Sequence, residues 1–181
     1  DGQMVANYEL RVVREGDYLT PEARYTAVND DGEGVPVAVT GSPVIYPGQR
    51  LPVGNPEDPY PSVGLTHLAA TYDAVSKELT LYMDGLKLGS SKMPYQSPPV
   101  GGRGARSFVR AGENFKGFMD DIRVWSDVRT PAEISSFKDA DVRDVQAEAN
   151  LLALFTLDDG GWPAQQVKAS VLGRLAAPPP N

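Results

Sequence analysis

The chain has 181 residues, enough for one sizeable core, and no cysteine, so neither a disulfide framework nor a thiolate metal site is available. A formal net charge of −7 argues against nucleic acid or an anionic membrane surface as the main partner. No apolar run reaches the ~18–20 residues of a membrane-spanning helix, and a start at Asp1 instead of Met is expected of a processed product or an excerpt of a longer protein.

Taken in chain order, residues 7–13 and 23–28 alternate as strands do. Asn29-Asp30-Asp31-Gly32-Glu33-Gly34 is a turn cluster, and Val35-Pro36-Val37-Ala38-Val39 returns as the second arm of a hairpin. Pro36 lacks an N–H and confines that arm to a sheet edge or a strand start. From Gly41 to Gly64 the chain is rich in Pro and Gly and carries Tyr46, Arg50 and Tyr60. A connection of that length inside a domain is usually functional or mobile. Ser91 to Arg106 is a second such stretch, with Tyr95, Arg103 and Arg106.

Between these two stretches lies the most ordered pattern, residues 66–88. Leu68, Ala70 and Tyr72 share one face of a strand, and Leu79, Leu81 and Met83 share one face of the next. Asp84-Gly85 then suits a tight hairpin with positive φ at both positions, leading into a third antiparallel strand. Residues 107–112 and 117–125 read as strands. Thr130-Pro131-Ala132-Glu133 reads as a helix start, with a capping Thr, Pro at the first helical position and a Glu placed to close a capping box. The helix is expected to be about two turns long and to end near Phe137. The charged residues 139–149 suit either a helix or a linker, residues 151–157 form a last strand, and Pro178-Pro179-Pro180 forms a tail. Short strands, long loops and one small helix imply an all-β sandwich.

Three blocks, in order, resemble a known group. His67, Leu68, Ala69, Thr71, Tyr72 and Asp73, followed by Leu79, Leu81, Tyr82, Asp84 and Gly85, resemble the central hairpin of laminin-G-like (LamG-type) domains, with Leu65 where the group usually carries Trp. Phe115, Gly117, Met119, Asp120, Asp121, Ile122, Arg123, Val124 and Trp125 resemble a second block, and Glu133-Ile134 resemble the end of the helix that follows it. Residues 151–160 resemble a closing strand. The chain is thereby identified as a member of the concanavalin A-like lectin/glucanase superfamily. The resemblance implies an all-β, two-sheet antiparallel jelly-roll sandwich with one short helix near 131–137. It implies a jelly roll over 1–160, lacking a clear counterpart of the group's opening strands before Tyr8, and an extension or the start of a following repeat over 161–181. Missing strands would leave an unpaired edge for another segment or subunit to cover. The resemblance also implies that the segments around Tyr82 and Ile122 fill one interior.

Catalysis of the kinds known on this fold needs residues that this chain lacks. There is no Glu-x-Asp-x-x-Glu strand to place paired carboxylates on one face, and no Ser-x-Asp-x-Gly-x-Thr-Trp box. His67 is the only histidine, sits in a strand, and by resemblance has a structural duty between layers. Gly101-Gly102-Arg103-Gly104 is followed by no Lys-Ser/Thr and is not a phosphate loop. If Asp120 and Asp121 stand on a strand, their side chains point to opposite faces. By resemblance a structural calcium is expected, with Asp120 the first candidate ligand, Asp121 a weaker one, and Asp158 and Asp159 as helpers. Asn29 to Glu33 lacks the spacing of a calcium loop and is a plain turn. Sugar sites stack rings on aromatic faces and pair hydroxyls with planar polar groups. Tyr46, Arg50, Tyr60, Tyr95, Arg103 and Arg106 supply those types on the two long loops.

The expectation is a non-catalytic, secreted or cell-surface recognition or adhesion module that binds a glycan or an extracellular protein. Nucleic acid and membrane insertion are not expected; self-association or contact with neighbouring repeats is. A structural assembly module of a repeat array or filament, and a divergent glycoside hydrolase or lyase, are the alternatives.

Overall fold

The computed structural model describes residues 8–15, 18–41, 44–45, 66–92, 111–112, 119–142, 148–157 and 165–167. The chain divides into two compact units, residues 1–101 with 130–139, and residues 102–129 with 140–181.

The first unit holds two antiparallel sheets. Strands β1 (Tyr8–Glu15), β2 (Tyr18–Val28) and β3 (Gly34–Thr40) run side by side, and the short β4 (Val44–Ile45) pairs with the start of β2. Strands β5 (Leu68–Asp73), β6 (Glu78–Met83) and β7 (Leu86–Lys92) form the second sheet. Alternation decides which residues face inward. On β2 the inner residues Ala23, Tyr25 and Ala27 are 0–1 % exposed. They meet Leu79 and Leu81 of β6, with Val37, Val39, Tyr72 and Leu88 packed around them. Burying Leu81 fully stabilises the unit by roughly 1.5–3 kcal/mol. The Tyr25 ring stacks on Tyr72 of the opposite layer, with centroids 4.9 Å apart, and on Tyr8 of the neighbouring strand at 6.1 Å. Burial, reinforced by Tyr72, pushes the Tyr25 hydroxyl well above its ordinary pKa.

The turns follow the chemistry of their residues. Asn29 closes the β2–β3 hairpin: its side-chain oxygen accepts from the N–H of Glu33 at 2.8 Å and of Asp31 at 3.1 Å. Pro36 lies on β3, an edge strand among the described residues, which suits its missing N–H. Between β5 and β6, Asp73 accepts from the Val75 N–H and the Ser76 hydroxyl, each at 2.8 Å. At the β6–β7 turn, Asp84 and Gly85 have φ of 50° and 83°, the pair of positive values of a type I′ hairpin. The expected alternation of β6 holds only for where its residues point: Leu79, Thr80, Leu81 and Tyr82 are all buried, so this central strand is covered on both faces.

Helix α1 (Pro131–Phe137) belongs to the same unit. Thr130 accepts from the Glu133 N–H at 3.3 Å, and Glu133 accepts from the Thr130 N–H at 2.8 Å, which is the capping box expected from the sequence. The helix sits hard against the β6–β7 turn. A Cβ placed on Gly85 would lie 2.8 Å from Ser135 Cβ and 2.9 Å from its Cα, so Gly85 is required both by its φ and by the approach of the helix.

The second unit carries one antiparallel sheet, β8 (Ile122–Trp125), β9 (Leu151–Phe155) and β10 (Gln165–Val167), with β9 in the middle. Leu151, Ala153, Leu154 and Val142 are its buried apolar residues. The Arg129 guanidinium covers the Trp125 ring, 3.8 Å from its centroid. Of the expected strand 117–125, the described part that pairs begins only at Ile122. Residues 139–142 and 148–150 are not helical. Among the described residues, the segments around Tyr82 and Ile122 belong to different units and different sheets. Each segment has its own nearest pairing partner, β5 and β7 for β6, and β9 for β8.

Candidate functional site

The segment 66–88 forms a rigid frame in the first unit. The Asp84 carboxylate accepts from the His67 N–H at 2.9 Å, and the Asp84 N–H donates to the His67 carbonyl at 2.8 Å. The Asp of the hairpin turn therefore ties the turn to the start of β5. His67 itself is half-buried and stands just before β5, not within a strand as expected from the sequence.

Of the residues expected to hold calcium, Asp120 and Asp121 are described, while Asp158 and Asp159 lie outside the described residues. Asp120 is exposed. Asp121 has φ of 47° and precedes the strand, so the two side chains are not disposed on opposite faces of a strand as the sequence pattern suggested. The left-handed backbone is one that Asp tolerates better than most residues. The Asp121 carboxylate is paired with the Arg123 guanidinium, which also donates to the Ala140 carbonyl. With its side chain 10 % exposed, Arg123 needs that counter-charge. Asp121 is thus committed to an ion pair, and no group of three acidic or histidine side chains suited to a metal occurs among the described residues. These two residues do not by themselves make the six to eight oxygen ligands that calcium takes. The six residues expected to contact a ligand, Tyr46, Arg50, Tyr60, Tyr95, Arg103 and Arg106, all lie outside the described residues.

One convergent polar group escaped the sequence reading. On the outer face of the first sheet, register sets Glu9 opposite Arg24 and Arg11 opposite Glu22. Glu22 accepts from Arg11 Nε at 2.9 Å and forms ion pairs with Arg11 Nη2 at 2.7 Å and Arg24 Nε at 3.2 Å, while Glu9 reaches Arg24 and Arg11 only at 3.8 and 3.9 Å. Opposite charges directly across two strands support their pairing. The signal was present: each strand carries a Glu-x-Arg step, and hairpin pairing of the two steps makes the cross. Glu22 is the more buried member, with its side chain 13 % exposed; Glu9, at 40 %, keeps capacity for another donor.

The opposed sheets of the first unit, with their buried Tyr, Leu and Ala interior and capped helix, define a mostly β protein consistent with the concanavalin A-like sandwich. Residues 21–135, more than half of the chain, match the Laminin_G_3 family, described as the concanavalin A-like lectin/glucanases superfamily, and the chain belongs to that family. The match rests on sequence and spans both β6 and β8. No curated protein and no solved structure matches the chain. The family points to a carbohydrate- or protein-binding module; domains of this type are generally non-enzymatic, although the superfamily includes glycoside hydrolases. They are often extracellular, and no described helix is long and apolar enough to cross a membrane.

Proposed function

We propose that this chain is a non-catalytic recognition module that works outside the cell and binds a glycan or an extracellular protein. The observation that carries the reading is the laminin-G-type match over residues 21–135. The frame formed by the His67–Asp84 lock and the capped helix supports it, because a binding surface on loops needs a rigid scaffold beneath it. The ligand contacts come from Tyr46, Arg50 and Tyr60 on one connection and Tyr95, Arg103 and Arg106 on the other. Tyrosine offers a ring face, and arginine offers a planar fork for hydroxyls or carboxylates. Calcium enters this reading through Asp120 with Asp158 and Asp159, since Asp121 is held by Arg123.

A glycan array probed with the full chain, with and without calcium, tests the reading. Specific binding that falls at least tenfold in Tyr46→Ala or Arg103→Ala, with an unchanged circular-dichroism spectrum, is the expected result. Turnover of a polysaccharide, or binding indifferent to all six loop residues, overturns it. A melting temperature that does not rise when calcium is added to the chelator-treated chain removes the calcium part alone, because a ligand of the native state must stabilise it.

A further inference from the structure

Among the described residues, β1 forms one edge of the first sheet, with β2 its sole neighbour. Its residues Tyr8, Leu10 and Val12 stand on the same face as the buried Tyr25 and Ala23, their register partners or neighbours, yet they are 59 %, 44 % and 38 % exposed. An eight-residue strand whose second edge is unpaired among the described residues, and which carries an apolar stripe, is a template for pairing with another chain.

We propose that β1 pairs antiparallel with β1 of a second copy of this chain, about a twofold axis through Leu10, joining two four-stranded sheets into one. Side-chain chemistry selects that register. With Leu10 on the axis, Tyr8 faces Val12 of the second copy and Glu9 faces Arg11 of the second copy, each twice. Glu9 is the carboxylate of the outer-face cross that has only long contacts among the described residues, so it can accept from that guanidinium. The neighbouring registers are poorer. An axis on Glu9 sets two carboxylates face to face, and an axis on Arg11 sets two guanidinium groups face to face. An axis on Val12 sets Glu9 against Glu15 twice, and an axis on Val13 leaves Tyr8 and Leu10 outside the pairing. Registers shifted by a single residue lay the apolar face of one copy beside the charged face of the other. The Leu10 register alone pairs apolar with apolar and acid with base along the whole stretch from Tyr8 to Val12. This dimer does not depend on the ligand-binding reading.

The absence of cysteine makes the register measurable with single-cysteine variants. Residues facing each other across an antiparallel pair have Cβ atoms about 4.5–5.5 Å apart, close to disulfide reach. Two copies of residue 12 would instead lie about 13 Å apart along the strand. Mild oxidation is expected to cross-link Leu10→Cys efficiently and Val12→Cys at least tenfold less. Light scattering is expected to give twice the 19.5 kDa chain mass for the unmodified protein. Leu10→Lys, which places two ammonium groups on the axis at a position that is 44 % exposed in one chain, is expected to give the single-chain mass with an unchanged circular-dichroism spectrum. A single-chain mass for the unmodified protein at every concentration, an open-ended series of masses, or equal cross-linking of the two cysteine variants would overturn the proposal.

Discussion

Tyr8 and Tyr25 face each other across β1 and β2 with their rings stacked, and they point to the same side of the same sheet. Tyr25 is 1 % exposed and Tyr8 is 59 % exposed. The second sheet makes the difference. Tyr72 of β5 reaches over Tyr25, and the layer formed by β5, β6 and β7 meets β2 and β3 through Leu79, Leu81 and Leu88. Identical residues in identical strand positions thus differ by whatever lies across from them. Burial is also the first cause that raises the pKa of the Tyr25 hydroxyl. Among the described residues the Tyr25 hydroxyl is buried without a hydrogen-bond partner, so its contribution comes from the ring.

The largest test of this contrast is to truncate each ring in turn. Tyr25→Ala is expected to cost about 3–5 kcal/mol in denaturant unfolding, since it empties a covered site. Tyr8→Ala, measured in the Leu10→Lys background to remove any second copy, is expected to change stability by about 0.5 kcal/mol or less. All eight tyrosines precede residue 101 in the sequence and both tryptophans, Trp125 and Trp162, follow it, so tyrosine near-ultraviolet dichroism is the signal that follows the first unit. Equal losses from the two truncations would show that Tyr8 is covered as Tyr25 is.

A smaller loss is expected from loosening the layer that does the covering. Gly85→Ala forces a side chain into positive φ and against the backbone of Ser135, and is expected to cost about 2–3 kcal/mol by the same unfolding measurement. A cost near zero would mean that helix α1 can move away from the hairpin turn without consequence.

The mildest perturbation is at the other end of that layer. Hydrogen bonds from the Val75 N–H and the Ser76 hydroxyl hold the Asp73 carboxyl below its ordinary pKa of 3.8. The folded state therefore favours the charged form. The stabilisation is complete well above pH 3.8 and is lost as pH falls through the lower folded value. Asp73→Asn is expected to lower stability in the neutral region, where the charged carboxyl contributes in full, and to approach the parent as pH falls below about 4, so that the acid side of its profile is flatter. An unchanged acid limb would show that the turn does not sense this carboxyl.

Local features of the fold were legible in the chain. The Asp84-Gly85 turn, the Thr130–Glu133 capping box, the Asn29 turn and the edge position of Pro36 each depend on a few neighbouring residues whose backbone preferences act alone. The acidic pair was read less well. Asp120 and Asp121 sat inside an apparent strand, but the strand starts at Ile122, and Asp121 turns into the left-handed region where Arg123 takes its charge. That outcome depends on Arg123 also reaching the carbonyl of Ala140, a contact across 17 residues that no local pattern announces. The polar cross of Glu9, Arg11, Glu22 and Arg24 was missed for a related reason: its two Glu-x-Arg steps become one site only when the hairpin register is known.

By itself the amino-acid order determined the direction of each side chain in the strands, the turns that reverse them, the start of the helix and, through the laminin-G-type blocks, the family. Period-two alternation and the φ preferences of Gly, Asp and Pro operate within a few residues, so they can be read along the chain. Coverage was decided by the tertiary structure: Tyr25 under Tyr72, both faces of β6 buried, Tyr8 and Leu10 left bare, and β6 and β8 placed in separate units. An alternating pattern states which way a side chain points, whereas what stands opposite it is supplied by segments far away in sequence.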